Sequence, residues 1–406
     1  MSGEADREVK VGAAGPGAGA GSRDGSEPEL DGQLSLGVAK EEFEEDLGFA
    51  EREPPKIELT RKKVLGVVIF IASSLAFMYV ILPRIGGLDE TWARLGEGDG
   101  SWLLAAAGFE VLSYGGYVVL MKVVFPSNRG RFGWGTAYLV TMAGVAATRL
   151  FATAGIGGVA LTAWAVRRTG LRRKFVALRL TAFMVSLYSV FMVSVVVVGV
   201  GLRTGLFTGP APFAVTVVPA VLAGAVIVVA LLFALVPADS ERRLREWANG
   251  RGEVAAVAGR MAALPSALAG GTRMALRLVK ERHPGMLGAV AWWYFDIAVL
   301  YACLRAFGAD ASFAIVVMSY FVGQLGNLLP LPGGIGGVEG AMVGALVAFK
   351  VDAGLALVAV LSYRAFAFWL PTIPGAIAFI QLRRRVAAWS EEDSAAARAA
   401  RGTIPA

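Results

Sequence analysis

The sequence predicts an all-α integral membrane protein with six full spans plus two re-entrant helical hairpins, arranged as an inverted repeat. Three observations carry that expectation. Hydrophobic residues fill 56% of the 406 positions and the mean hydropathy is +0.60, a composition suited to a bilayer. Apolar stretches of about 20 residues, the length that crosses a hydrocarbon core, recur along the chain. A glycine-rich pentapeptide occurs twice, each time inside an apolar stretch too long for one helix.

The first segment is not a span. Residues 1–60 hold 15 acidic and 6 basic side chains, net −9, whereas the other 346 residues are net +16. Residues 1–56 are rich in Gly, Ala, Glu, Asp and Pro and include the acidic run Glu41, Glu42, Glu44, Glu45, Asp46. They read as a disordered acidic cytoplasmic tail. The opening Met-Ser-Gly-Glu-Ala-Asp lacks the basic-then-apolar order of a secretory signal. A polytopic membrane domain follows over 57–385, and 386–406 reads as a second, shorter tail.

The clear spans are 64–83, 101–121, 175–200, 213–236, 286–307 and 354–381. Basic loops stay in the cytoplasm, so each short loop reports orientation. Arg61, Lys62 and Lys63 hold the start of the first span inside, and the acidic loop 84–100 suits the outside. Loop 122–133 carries Lys122, Arg129 and Arg131, and loop 167–174 carries Arg167, Arg168, Arg172, Arg173 and Lys174. Both belong inside, so the stretch between them, 134–166, enters and leaves on one side as a re-entrant hairpin. The segment 237–285 has nine basic and five acidic residues and is cytoplasmic. Its alternation of Arg with Ala, Val and Leu reads as an interfacial amphipathic region on an anionic leaflet. Arg383, Arg384 and Arg385 end the last span inside, which leaves both ends of 313–350 outside. Both termini are then cytoplasmic. The alternative, a single tilted span for each broken stretch, would put the five basic residues of loop 167–174 outside.

Gly155-Ile156-Gly157-Gly158-Val159 recurs as Gly334-Ile335-Gly336-Gly337-Val338, 179 residues later. Phe109-Glu110-Val111 is echoed by Phe295-Asp296-Ile297 at a distance of 186, and Arg179 by Arg364 at 185. The order acid, glycine motif, arginine therefore occurs twice, in repeat one (101–200) and repeat two (286–381). The loop charges give the two copies opposite orientation. Inverted repeats with broken helices are a hallmark of secondary transporters, whose site lies near the midplane.

The second break reads Asn327-Leu328-Leu329-Pro330-Leu331-Pro332-Gly333-Gly334, continuing through Ile335-Gly336-Gly337-Val338-Glu339. Two prolines and four glycines interrupt a helix. Freed backbone groups at membrane depth require protein or a wet cavity around them. A half-helix starting there points unpaired N–H groups and a positive dipole end inward, which suits phosphate or carboxylate. The candidate site for an anionic head group thus comprises Gly157, Gly158, Gly336 and Gly337 with Arg149, Arg179 and Arg364. The competing reading is that the glycines only let helices pack closely.

Glu110, Arg149, Arg179, Asp296, Glu339 and Arg364 all fall within membrane segments. Each such charge costs about 2.5 kcal/mol or more to insert and must find a partner or water. Glu110 and Asp296 are candidates for coupling or for ion pairing. Glu339, which faces Ala160 in the repeat alignment, is placed either to cap its half-helix or to carry a coupling proton. One histidine, His283 in a loop, and one cysteine, Cys303 in a span, exclude a His-ligated metal centre and a disulfide framework. No cofactor and no nucleic acid partner is expected.

With these residues in view, the chain resembles the transmembrane flippase domain of the bacterial lysyl-phosphatidylglycerol synthases. The motifs are the Asn-Leu-Leu-Pro, Pro-Gly-Gly and Gly-Val-Glu elements of residues 326–340, and Ser362-Tyr363-Arg364 followed by Pro371 and Pro374-Gly375. The resemblance covers about residues 60–385 and is most specific in the second half. It departs at Thr148-Arg149-Leu150-Phe151, where family members often have a more polar, proline-bearing break. What it implies is a multi-pass lipid-handling protein of the bacterial cell membrane, here a stand-alone member without a synthase domain. The leading expectation is a non-enzymatic translocase that moves an anionic or amphoteric lipid between leaflets: a phospholipid, a glycolipid precursor or a polyprenyl phosphate. A secondary transporter of a small anion, or a non-catalytic membrane partner of a lipid-linked glycan or aminoacyl-lipid pathway, are the alternatives. A homo-oligomer is compatible with each.

Overall fold

The computed structural model describes residues 96–125, 130–150, 156–171, 173–235, 268–329 and 334–402, with isolated positions 69, 72, 73, 76 and 80. The expected tail 1–56, and the expected first span 64–83 apart from those positions, lie outside the described residues. The elements are α1 (Gly100–Val124), α2 (Trp134–Leu150), α3 (Ile156–Arg168), α4 (Arg173–Arg203) and α5 (Phe213–Leu235). Then come α6 (268–280), α7 (Leu287–Ala306), α8 (Phe313–Gln324), α9 (Gly337–Ala348), α10 (Ala353–Arg364) and α11 (Leu370–Gly402). A 3₁₀ turn, Leu325–Leu328, extends α8, and a π turn, Ala365–Trp369, joins α10 to α11.

Among the described residues, five helical stretches are long and apolar enough to cross a membrane: Gly100–Val124, Phe175–Arg203, Phe213–Leu235, Pro284–Ala306 and Ala353–Ala396. They fall on five of the six predicted spans. The protein is a multi-pass, all-helical membrane protein. α5 exposes Val221, Leu222, Val226, Val228, Val229 and Leu232, as a helix does when lipid tails cover its outer face. The two broken stretches each fold as a pair of short helices. At about 1.5 Å per residue, the 17 residues of α2, the 13 of α3 and the 12 of α9 each fall short of a hydrocarbon core of about 30 Å.

The centre of the fold is the crossing of α1 with α7. The Asp99 N–H donates to the Ala306 carbonyl at 3.0 Å, Phe109 stacks on Phe295 with ring centroids 6.1 Å apart, and the Ser113 hydroxyl donates to the Trp292 carbonyl at 2.8 Å. Numbers rise on one helix as they fall on the other, so the pair is antiparallel. Further along, a Cβ on Gly116 would lie 2.7 Å from the Gly288 carbonyl oxygen. Only two glycines allow that approach. The echoed Phe-acid pairs of the two repeats therefore meet at the crossing itself.

Both hairpins are closed by the same device. In the first, a Cβ on Gly158 would sit 2.7 Å from the Gly144 carbonyl oxygen; in the second, one on Gly326 would sit 2.4 Å from the Gly337 carbonyl oxygen. Gly158 and Gly337 are equivalent positions of the duplicated motif. Other contacts sort the loops by face. Ser312 Oγ donates to the Thr208 carbonyl, joining loops 204–212 and 307–312. At the opposite end Arg131 reaches Glu392 and Asp393, and Gly271 abuts Thr181.

The segment expected as a tail from 386 is the continuation of α11, helical to Gly402. Its apolar residue Trp389 is buried, and its acids pair with Arg131 across 2.8 Å and 3.2 Å. That pairing holds the Arg131 guanidinium above its ordinary pKa, the hydrogen bond to Asp393 being the main cause.

Gly326→Ala and Gly116→Ala should each destabilise the purified protein by about 1–3 kcal/mol, the usual cost of overpacking. Gly115, whose added Cβ would meet nothing within 4 Å, is the control: Gly115→Ala should be neutral or raise the melting temperature, since Ala is the better helix former. Equal effects at Gly115 and Gly116 would remove the close-approach argument.

Candidate functional site

Five of the six membrane-embedded charges foreseen from the sequence lie in one buried cluster. α1 supplies Glu110, α2 Arg149, α7 Asp296, α9 Glu339 and α10 Arg364. Glu110 is 5% exposed, Asp296 8%, Glu339 0% and Arg364 7%. Glu110 feels the charges of Asp296 and Arg149, and Asp296 those of Arg149 and Arg364. Low dielectric makes such mutual interactions strong and any unpaired member expensive.

Glu339 has two jobs. Its Oε2 accepts the Gly336 N–H at 2.6 Å, and its Oε1 accepts from Arg364 Nε at 2.5 Å. The first bond caps α9. Gly336 stands at φ +87°, a left-handed conformation that favours glycine, and this turns its N–H toward the carboxylate three residues on. The capping role expected for Glu339 is what the structure has. The half-helix end is consequently filled by the chain's own carboxylate, and Arg364 is tied to it. The expectation that Gly336, Gly337 and Arg364 together present an open anion site is replaced by an internal ion pair. Gly158 is a packing position, and the Gly337 backbone is packed against Gly326, as the close approaches above show. Gly157 is half-buried at the start of α3.

Arg149 is held differently. Its Nη2 donates to the Ala367 carbonyl at 2.6 Å and to the Tyr114 hydroxyl at 2.8 Å, and its Nη1 donates to the Phe368 carbonyl at 2.7 Å. The guanidinium carbon lies 5.0 Å from the Phe368 ring centroid. The sequence explains why those carbonyls are available. In a regular helix the Ala367 carbonyl would accept from the N–H of residue 371, and residue 371 is proline, which has none. The chain relaxes into a π turn there, and Arg149 supplies the missing donor. The Arg364 guanidinium carbon lies 4.3 Å from the same Phe368 centroid.

Arg179 is not in the cluster. It donates to the Val124 carbonyl at the C-terminal end of α1, where a cation suits the helix dipole. The predicted equivalence of Arg179 and Arg364 fails for a reason of length. Arg179 sits about 9 Å into α4 and Arg364 about 17 Å into α10, counting 1.5 Å per residue. The residue that joins Arg364 near the carboxylates is Arg149. With three acids and two arginines, the cluster is not the net cationic cavity that the sequence suggested.

Sequence reasoning missed the tyrosines. Tyr320 OH donates to Asp296 Oδ2 at 2.5 Å and Tyr363 OH to the same oxygen at 3.2 Å, their rings meeting edge to face at 6.1 Å. Tyr363 adjoins Arg364 in the quoted motif, and a lone tyrosine amid apolar residues, as at 320, is a signal that a buried acceptor needs a donor. Asp296 Oδ1 and Glu110 Oε2, by contrast, are buried with no hydrogen-bond partner among the described residues. A cavity of about 410 Å³ lies elsewhere, lined by Arg131, Thr136, Arg385, Trp389 and Glu392 at the end of α2 and α11.

Removing one member of the Glu339–Arg364 pair leaves the other charge buried, which costs about 3–5 kcal/mol. Glu339→Gln and Arg364→Gln should each lower the melting temperature strongly, and the double variant should lose much less than the sum. A thermal-shift double-mutant cycle reads the coupling directly. Additive losses would mean that the pair is not a unit.

A family model described as the lysylphosphatidylglycerol synthase TM region matches residues 63–375. Two proteins of Methanothermobacter thermautotrophicus, each named UPF0104 membrane protein, are similar over shorter stretches. One is 38% identical over 86 residues, 21% of this chain and 26% of the relative. The other is 33% identical over 97 residues, 24% of this chain and 28% of the relative. The matches thus span about a quarter of those relatives' own length. The family match takes in α1 to α10, the π turn and every member of the buried cluster, and the chain belongs to the lysylphosphatidylglycerol synthase TM region family.

Proposed function

We propose that the protein is a lipid translocase, flippase-like, which moves an anionic or amphoteric lipid head group between leaflets through the region of the charged cluster. The observation that carries the reading is that Glu110, Arg149, Asp296, Glu339 and Arg364 are gathered in one cluster within the helical bundle, four of them buried and Arg149 half-buried. Stability does not call for them, since apolar residues of similar size would do as well or better. Intramembrane charges kept in this way mark a transport path. The coexistence of guanidinium and carboxylate groups fits an amphoteric head group as well as a phosphate. The family's membership among lipid-modifying synthases supports a lipid over a free solute.

The mechanism that fits is alternating access about the α1–α7 crossing, with the two glycine hairpins as re-entrant elements of an inverted repeat. The antiparallel meeting of Phe109-Glu110 with Phe295-Asp296, and the matched glycine contacts at Gly158 and Gly337, support that arrangement. The buried cluster is then its closed state. We read the chain as a transport protein of the cell membrane that carries out no chemistry on its lipid, with loops 122–133 and 167–174 and both termini in the cytoplasm.

Two experiments test this. In vesicles containing fluorescent phosphatidylglycerol, the reconstituted protein should speed transbilayer exchange over protein-free vesicles. Arg149→Gln should slow it about tenfold or more, the scale of one lost hydrogen bond to a charged group, by more than its melting temperature accounts for. Exchange equal to that of empty vesicles for phosphatidylglycerol, its lysyl derivative and a polyprenyl phosphate alike would sink the proposal, and uptake of free phosphate instead would favour a small-anion transporter. For the hairpin, single cysteines in a Cys303→Ala background should leave residue 170 shielded from an impermeant reagent outside cells and residue 351 labelled. Labelling at 170 would make α2 and α3 a full crossing.

A further inference from the structure

We infer that Glu110 and Asp296 form a proton site: in the closed conformation the pair carries one proton between them, taken up from water as the cluster closes. The inference rests on the reading of the cluster as a transport site only for what the proton would drive. Its foundation is geometric. The two carboxylates occupy equivalent places in the repeat, one residue after Phe109 and Phe295, and those rings stack at the α1–α7 crossing. Each residue is more than nine-tenths buried. Each keeps one oxygen, Glu110 Oε2 and Asp296 Oδ1, to which no donor is offered among the described residues. An ionised carboxylate oxygen left bare at such depth is costly, and the usual resolution is that the group is neutralised.

Every element around the pair has declared its charges. α1 adds Tyr114, whose hydroxyl is taken by Arg149 of α2. α7 adds Cys303, within reach of Glu110. α8 adds Tyr320, and α10 adds Tyr363, both donating to Asp296 Oδ2. α9 adds Glu339 and α10 adds Arg364, already paired with each other. α4 packs Tyr188 against Trp293 of α7, away from the carboxylates. With Glu339 and Arg364 balanced, Arg149 is left as one positive charge facing two acids. If both acids ionise, the cluster carries one excess negative charge with no cation to meet it. If one of them holds a proton, the cluster is neutral.

The step is a simple protonation. A proton from water in the opened cavity bonds to one carboxylate oxygen of the pair, the other carboxylate keeps its charge opposite Arg149, and opening returns the proton to water. Closing is thereby linked to uptake of one proton. The closed form should lose ground to the open one by about tenfold per pH unit once the pair ionises, the limit set by a single linked proton. The sign follows: the closed state binds more protons, so acid favours it and base opens it.

Infrared spectroscopy of the full-length protein in lipid nanodiscs tests the site without any lipid substrate. At neutral pH the protein should show the carbonyl stretch of a protonated carboxyl, sensitive to deuterium exchange and lost in the Glu110→Gln/Asp296→Asn double variant. A melting curve at acidic and at mildly basic pH should show the wild type more stable in acid, with the difference largely removed in Glu110→Gln, which is neutral at both. Absence of the band in a wild type that melts cooperatively overturns the inference, as does a band that persists in the double variant. Because the band needs no transport, its presence alongside failure of the vesicle assay would reject the translocase reading and keep the proton site.

Discussion

A charge inside a bilayer must find another charge, a hydrogen-bond partner or water, and this requirement organises the centre of the protein. Each of the five clustered side chains would cost at least about 2.5 kcal/mol on its own. They are affordable because α1, α2, α7, α9 and α10 bring them to one place. The geometry that does so is set by small residues. Gly116 and Gly288 let α1 and α7 cross closely enough for Phe109 to stack on Phe295, and Gly326 and Gly337 let α8 and α9 close into a hairpin that carries Glu339 toward Arg364. Packing and electrostatics are thus one problem here. A methyl group at the crossing would move the acids as well as the helices.

The π turn shows the same economy at the level of the backbone. Pro371 withholds a donor from the Ala367 carbonyl, and a freed carbonyl in an apolar interior is itself a polar group in need of a partner. Arg149 meets it, bonding Ala367 and Phe368 together. This links a motif of the second repeat to a residue of the first. It also gives the arginine beside the first break a structural task. The side chain serves the π turn between α10 and α11 rather than its own hairpin.

Much of the fold was legible because bilayer thickness and loop charge are strong constraints. Five of the predicted spans coincide with helices in the structure, and both broken stretches are pairs of short helices. The site was legible in membership and not in arrangement. A charge in a span announces that it needs a partner, so Glu110, Arg149, Asp296, Glu339 and Arg364 could all be named. Which partner it takes depends on depth. Depth follows from loop lengths and hairpin geometry, and neither is encoded in the motif spacing. Arg179 and Arg364 looked equivalent, yet they lie 185 residues apart where the glycine motifs lie 179 apart, and that six-residue difference, about 9 Å of helix, goes with one at a helix end and the other among the carboxylates. Tyr320 and Tyr363 escaped notice because a phenol in an apolar span carries no charge to betray it.

The glycine motif illustrates how one pattern can serve two ends without contradiction. At Gly158, and at Gly326 against the Gly337 backbone, a side chain would collide with backbone, which is a packing requirement. At Gly336 a left-handed turn aims an N–H at Glu339, which is an electrostatic one. The positive end of α9 is a natural anion site, and the anion that occupies it is the chain's own. A head group could reach that end only by displacing Glu339, which would strand Arg364 unless the phosphate took its place. Exchange of one anion for another keeps the count of charges constant, and only such an exchange does so without exposing the cluster to the full cost of desolvation. On the proposed translocase reading, a moving head group would have to pass the carboxylates and guanidiniums from partner to partner. Arg149 and Arg364 both lie over the single Phe368 ring, at 5.0 Å and 4.3 Å from its centroid, so the two guanidiniums share one aromatic surface.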